Sequence, residues 1–317
     1  MALRVGLNPY GLTCWVGLQG DAPNPAGLDG FVNLCLEYGA RSIELDLSHL
    51  RGLSDEGLSE LRQRLDGLAI VVSASPPTER LPEAIHIADR LGAKTVRVGL
   101  STVLCGARAA TPGWDGLVAQ IRDGLCHAAP LAEQAGLSLA IEDHQDFGSE
   151  ELVAFCLAAG PSVGITFDTG NPLAVGEAPL DFAQRVAPHV RHLHLKDYRV
   201  QPTDEGFRLV RCAIGEGAID FGALLPLLPS DLTASLEPGA LEARHIRLLC
   251  PDWWRGYPSR SALELVECLA ATKPNALSKD EDYQTPWERA DGMDAVCRYE
   301  REMMDRSVAF VKGMGWL

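Results

Sequence analysis

Residues 139–146 read LAIEDHQD, and the alternation within that stretch governs how the rest of the chain is read. Successive side chains of an extended strand point to opposite faces. Leu139 and Ile141 then form one apolar face, while Ala140, Glu142 and, continuing the parity, His144 form the other. Three stretches downstream repeat the pattern. In GITFDTGNP (164–172) Ile165 and Phe167 oppose Asp168, and in SLEPG (235–239) Leu236 opposes Ser235 and Glu237. In RHLHLKDY (191–198) His192, His194 and Lys196 share a face against Leu193 and Leu195, with Val190 just upstream grouped with the leucines. Each polar residue stands at or near the end of its strand and is followed by turn residues.

Outward from these four, short β-branched or leucine-rich runs alternate with amphipathic stretches. The strands expected are Arg4–Asn8, Ser42–Leu45, Ala69–Ala74, Thr95–Gly99, Ser138–Glu142, Gly164–Asp168, Arg191–Lys196 and Ala234–Glu237. Helices are expected at Ser54–Leu65, Pro82–Leu91, Trp114–Gln134 and Glu150–Ala158, with Ser54 and Ser149 as N-caps. Eight such units predict an α/β protein with a (β/α)8 TIM barrel, and the lack of a GxGxxG turn after the first strand argues against a dinucleotide-binding sheet. Residues 1–317 are expected to form one domain, with an insertion from Ala240 to Ala295 after strand eight, over the C-terminal face, and a last helix from about Met293 to Met314.

Composition narrows the function classes. A formal charge of -15 without a basic cluster argues against nucleic acid and anionic membrane surfaces as partners. Nine scattered cysteines without a CxxC pair suit reduced thiols in a cytoplasm. The absence of a secretory apolar segment, or of a membrane-length apolar run, points to the same compartment. A homo-oligomer is compatible with the sequence.

Glu142, Asp168, His194 and Glu237 converge on the C-terminal rim of such a barrel. Any one alone is an ordinary polar rim residue, but three carboxylates packed together cannot all stay ionised without a cation. One divalent metal ion is therefore expected, and three oxygens with one imidazole suit Mn²⁺, Mg²⁺, Co²⁺ or Fe²⁺, with zinc left open.

These residues carry a resemblance. LAIEDHQD, GITFDTGNP, RHLHLKDY, GEGAID (215–220) and SLEPG resemble the xylose isomerase-like TIM barrels, in particular the branch of sugar phosphate isomerases and epimerases that includes tagatose 3-epimerase, hydroxypyruvate isomerase and inosose dehydratase. The resemblance implies metal-ligand roles for Glu142, Asp168, His194 and Glu237, and acid and base roles for Glu142 and Glu237. Asn171 stands where the DNA-cleaving members and tagatose 3-epimerase carry a histidine, which argues against a nuclease and departs from that epimerase.

The expected function is a divalent-metal-dependent isomerase or epimerase of a carbohydrate or sugar acid, working through an enediolate. The alternative is a metal-dependent lyase, a decarboxylase or dehydratase of an oxo-sugar acid or an eliminating enzyme for an oxidised glycoside. A sugar-binding barrel without catalysis is the third choice, and four intact ligands argue against it. Substrate contacts are expected from Lys196, His144, Asn171, Glu44 and Asn8. Lys196 could instead balance Asp197 or Glu142, and His144 could orient a ligand carboxylate. GEGAID is either a loop over the site or a helix start capped by Asp220. The stretch RHIRLLCPDWWRGYPSR (244–260) is either a lid that stacks on a sugar ring and binds an acidic group, or a packed cover or interface.

Overall fold

The computed structural model describes residues 3–317. Its strands are β1 (Arg4–Leu7), β2 (Ser42–Asp46), β3 (Ala69–Ala74), β4 (Thr95–Val98), β5 (Ser138–Glu142), β6 (Val163–Asp168), β7 (Val190–Leu195), β8 (Tyr198–Thr203), β9 (Gly206–Arg211), β10 (Thr233–Leu236) and β11 (Arg244–Ile246). Eight of them close a parallel barrel in the order β1-β10-β7-β6-β5-β4-β3-β2, and helices follow the strands around it. This is the expected (β/α)8 barrel, and every barrel strand begins and ends within one residue of its expected bounds.

The parity that opened the reading holds in three dimensions. Leu139, Ile141, Ile165, Phe167, Leu193, Leu195 and Leu236 are all 0% exposed, packed between barrel and helices. Phe167, for instance, stacks on Phe182 of the helix Pro179–Val186 with ring centroids 5.6 Å apart. Val190 has the same parity as His192, yet it is buried among the apolar residues. The ladder explains this, because Ile165 pairs with Val190 and the next residue, Thr166, pairs with His192. Arg191 is the extra residue of a bulge, and a bulge inverts the alternation.

Ser54 caps its helix by accepting from the Gly57 amide at 3.2 Å, and Asp220 caps a short one through the Ala223 amide at 3.0 Å. Ser149 does not cap. The helix Ser149–Ala159 has Gly148 at its N-cap, with Glu151 Oε2 accepting from the Gly148 amide at 2.9 Å, while the Ser149 hydroxyl donates to Glu177.

A second sheet lies outside the expected elements. β8, β9 and β11 form an antiparallel sheet in the order β11-β9-β8, built from the loop after β7 and the start of the insertion. Gly206 makes the close approach possible, since a Cβ there would lie 2.2 Å from the Ile246 carbonyl oxygen. The insertion also carries a helix, Ala262–Ala271, with a reciprocal cap between Ser261 and Glu264.

The insertion packs on loops at the C-terminal ends of the strands. The Tyr257 hydroxyl accepts from the Gly106 amide at 3.2 Å, and Arg260 pairs with Glu177 at 2.6 Å. The Tyr257 ring stacks on Trp253 and covers the buried Arg108 guanidinium, whose other side meets Trp114. These insertion aromatics are packed cover; they do not line the central cavity described below. Among the described residues no helix is long and apolar enough to cross a membrane.

Candidate metal centre

Each ligand candidate is delivered by the end of a barrel strand. Glu142 and Asp168 are the last residues of β5 and β6, His194 lies one residue from the end of β7, and Glu237 follows β10 directly. One donor atom from each lies within 4.8 Å of all the others, and the four side chains are buried. His194 Nδ1 is 3.0 Å from Glu142 Oε1 and 2.9 Å from Glu237 Oε2. Its Nε2 faces Glu44 Oε2 at 3.0 Å. A carboxylate on the far nitrogen fixes the ring so that Nδ1 points at the acidic cluster, the usual second layer behind a metal-binding imidazole. Glu44 also reaches His192 Nε2 at 3.2 Å, which ties the layer beneath into the barrel core.

Lys196 sits among the carboxylates, with Nζ 2.6 Å from both Asp168 Oδ2 and Glu237 Oε1. It therefore balances Asp168 and Glu237, not Asp197 or Glu142. Lys196 is the partner of the buried Asp168 Oδ2, and Asp168 Oδ1 accepts from the Gly170 amide at 3.2 Å. Arg97, at the third position of β4, forms the ion pair with Glu142.

Burial opposes ionisation throughout the cluster, and neighbouring charge decides which groups overcome it. Arg97 and His194 outweigh burial at Glu142 and hold its carboxyl well below the usual range. Lys196 and His194 do the same for Glu237. Asp168 is the exception: burial, with Glu237 and Glu142 crowding it, pushes its carboxyl up to about 6 in spite of Lys196. His144 is pushed down to about 4 by burial and by the repulsion of Lys196 and Arg97, so it is neutral at pH 7. In the metal-free cluster the counter-charges of the carboxylates are Lys196, Arg97 and His194, whose pKa Glu44 and Glu237 raise well above the usual imidazole range in spite of burial. Three carboxylates and an oriented imidazole with donor atoms within 4.8 Å of one another are a donor set that fits a divalent ion, with Glu142, Asp168, His194 and Glu237 as its holders once the ion takes the place of the Lys196 contact and the His194 proton.

Glu142 and Glu237 border a cavity of about 310 Å³ together with Lys196, His144, Arg97 and Tyr10. Asn8, Glu44 and Asn171 do not line it. Asn8 donates to Glu237 Oε2 at 2.7 Å, and Asn171 donates to the Asp143 carbonyl at 2.9 Å, so they and Glu44 brace the cluster from behind. GEGAID is pinned to the end of β7, since Asp197 accepts from the amides of Gly215, Gly217 and Ile219 at 2.9–3.1 Å. Arg97, Tyr10 and Arg211 are cavity residues that sequence reasoning passed over, whereas Arg244 opens the stretch 244–260 expected as a lid or cover. The same parity test applied to TVRV (95–98) exposes Arg97 as a lone charge on the inward face.

Known proteins share parts of this architecture. YihM of Escherichia coli (strain K12), itself uncharacterised, is 29% identical over 178 residues, 55% of this chain and 50% of that protein. Inosose dehydratase 1 of Bacillus cereus is 33% identical over 89 residues, 27% of this chain and 30% of the enzyme. The chain thus spans half or less of the length of these curated relatives. Among solved structures, D-psicose 3-epimerase with D-tagatose from Clostridium cellulolyticum H10 superposes with a TM-score of 0.59 at 16% identity, covering 87% of this chain and 98% of that one, a likeness of fold. The family model for the xylose isomerase-like TIM barrel matches residues 32–231, most of the barrel and three of the four metal-ligand candidates, and the chain belongs to that family.

Proposed function

We propose that the chain is a divalent-metal-dependent isomerase or epimerase of a carbohydrate or sugar acid. The observation that carries this is the pair Glu142 and Glu237: both border the cavity, both are held ionised, and both lie at the cluster that would hold the ion. Mn²⁺, Mg²⁺ or Co²⁺ suits the donor set, and the bound ion would polarise a substrate carbonyl and so favour an enediolate.

The protein supplies proton movement and position. β5 and β10 are three places apart in the ring, so the two glutamates approach a bound sugar from different directions. One removes the proton beside the carbonyl and the other returns it. Arg97 keeps Glu142 ready to accept by opposing its protonation, and neutral His144 with Lys196 offers hydrogen bonds to substrate hydroxyls. Return to the opposite face of the same carbon gives an epimer. Return to the adjacent carbon gives aldose–ketose isomerisation.

A lyase is the second choice, supported by the similarity to inosose dehydratase over 89 residues. An enediolate formed by proton removal then expels water or a glycosidic group from the next carbon, with a glutamic acid protonating the leaving oxygen, whereas loss of carbon dioxide from an oxo-sugar acid itself leaves the enediolate, which a glutamic acid protonates. Incubation of the Mn²⁺-loaded protein with ketoses and sugar acids in deuterated water separates the two. Isomerisation incorporates deuterium and conserves the carbon and oxygen count, whereas release of water or carbon dioxide identifies the lyase. Glu142→Gln and Glu237→Gln should each lower turnover by about 10²- to 10⁴-fold. Turnover that is unaffected by chelation and by both variants overturns the proposal.

A further inference from the structure

Two guanidinium groups border the cavity without belonging to the barrel. Arg211 is the last residue of β9 and Arg244 the first of β11, and both line the cavity wall. Arg244 pairs with Leu209 in the antiparallel ladder, which places Arg244, Leu209 and Arg211 on the same face of that sheet. Diagonal neighbours of this kind lie about 7–8 Å apart, so the two arginines form a local pair. Arg211 is seated against the turn that follows Glu237. Gly239 there has φ +64, and a Cβ at that position would lie 2.3 Å from Arg211 Nη1. The turn thus brings the guanidinium to the rim that carries a ligand candidate.

Of the four cavity cations, Arg97, Lys196 and Arg244 have a resident carboxylate, and Arg211 has none among the described residues. Arg97 is paired with Glu142, and Lys196 with Asp168 and Glu237. Arg244 holds Glu242 through Nη1 at 2.5 Å, while its Nε is buried and unbonded. Arg211 Nε is likewise buried without a partner among the described residues. Glu300 feels the Arg211 charge but accepts from the Cys14 and Trp15 amides at 3.0 and 2.8 Å. Lys196, in turn, feels the repulsion of Arg211. Four cations and two carboxylates, Glu142 and Glu237, border the cavity; Arg97 and Lys196 are taken up by those carboxylates, which leaves the Arg211 charge uncompensated at the wall. Juxtaposed guanidinium groups with unbonded nitrogens at a cavity wall are costly unless an anion completes them, and the planar fork matches a carboxylate or phosphate.

We propose that Arg211 and Arg244 bind an anionic group of the substrate, which makes the substrate a sugar acid or sugar phosphate and not a neutral sugar. The proposal rests on the metal-dependent carbohydrate chemistry above and adds the class of sugar. Gln19 and Thr102 along the same cavity would supply an amide and a hydroxyl for the remaining sugar oxygens.

The test is calorimetric titration of the Mn²⁺-loaded full chain with D-glucose, D-glucuronate, D-galacturonate and D-glucose 6-phosphate. At least one acid should bind about tenfold or more tightly than the neutral hexose, less so at high salt, and uronate against phosphate identifies the anion. Arg211→Gln and Arg244→Gln should each remove most of that preference, with Mn²⁺ affinity and melting temperature unchanged. Arg211→Lys, which keeps the charge and is the variant most apt to fold as the parent, should retain part of it. Equal binding of neutral and acidic sugars, binding of none of the four, or a preference that survives the double Arg211→Gln, Arg244→Gln variant overturns the proposal. Failure to bind Mn²⁺ overturns the metal-dependent function and leaves the anion preference to be read on the metal-free chain.

Discussion

Asp168 is the ligand candidate that most needs a cation. Without a metal its carboxyl is pushed up to about 6, so an incoming ion has to displace a proton below that pH. His194, raised well above the usual imidazole range by Glu44 and Glu237, has to give up a proton as well, so the dissociation constant for Mn²⁺ should rise with every fall in pH, more steeply below about 6, with no plateau just above it. Titration followed by the electron paramagnetic resonance of free Mn²⁺ checks this, and a flat profile down to about pH 5 contradicts it. The stability linkage has the opposite sense in the metal-free protein. A carboxyl whose pKa is raised by folding costs nothing below its unfolded value and destabilises the fold progressively as pH rises towards about 6. Lys196 limits that cost. Lys196→Met should destabilise the metal-free form by about 3–5 kcal/mol and widen the gap in melting temperature between metal-free and Mn²⁺-loaded protein. The four ligand candidates were legible because a two-residue period and turn residues label a barrel rim. Arg97 was legible by the same test, whereas the bracing roles of Asn8, Glu44 and Asn171 depend on distances between strands that no single strand encodes.

At the scale of elements, the insertion is fastened at Glu177. This buried carboxylate pairs with Arg260 of the insertion at 2.6 Å and Arg185 at 2.8 Å, and accepts from the Ser149 amide at 2.9 Å. Glu177→Ala leaves the buried Arg260 without its partner and should cost about 3–5 kcal/mol in urea unfolding. Limited proteolysis should then cut first between residues 247 and 261, and a variant that keeps parental stability contradicts the fastening role. The barrel strands were legible to within one residue because both of their faces are defined by the fold. The second sheet was not. Pro202 interrupts β8 and argues against a strand, yet β8 is an edge of its sheet, where a missing amide is tolerated. β11 has three residues, too few to show a period.

For the whole molecule, the proposed metal would be a stability term. If the cluster holds one ion, Mn²⁺ at about 100 times its dissociation constant adds about 2.7 kcal/mol to the folded state. Calorimetric melting with and without chelator reads it out, and an unchanged melting temperature argues against a resident ion. The barrel was legible from eight repeated units, but the gathering of four cations at the cavity was not, because the net charge of -15 describes the chain as a whole and not where its cations lie. The charged groups of the cavity are carried by side chains of two separate sheets. The barrel strands hold the ligand candidates, and the small sheet β11-β9-β8 holds Arg211 and Arg244. If the proposed anion site and metal centre are what they are proposed to be, a lineage that exchanges the hairpin Tyr198–Arg211 and the first residues of the insertion can take up a new metabolite while its reaction centre is inherited unaltered. Drift in diet and conservation of chemistry would then be written in different segments of one gene.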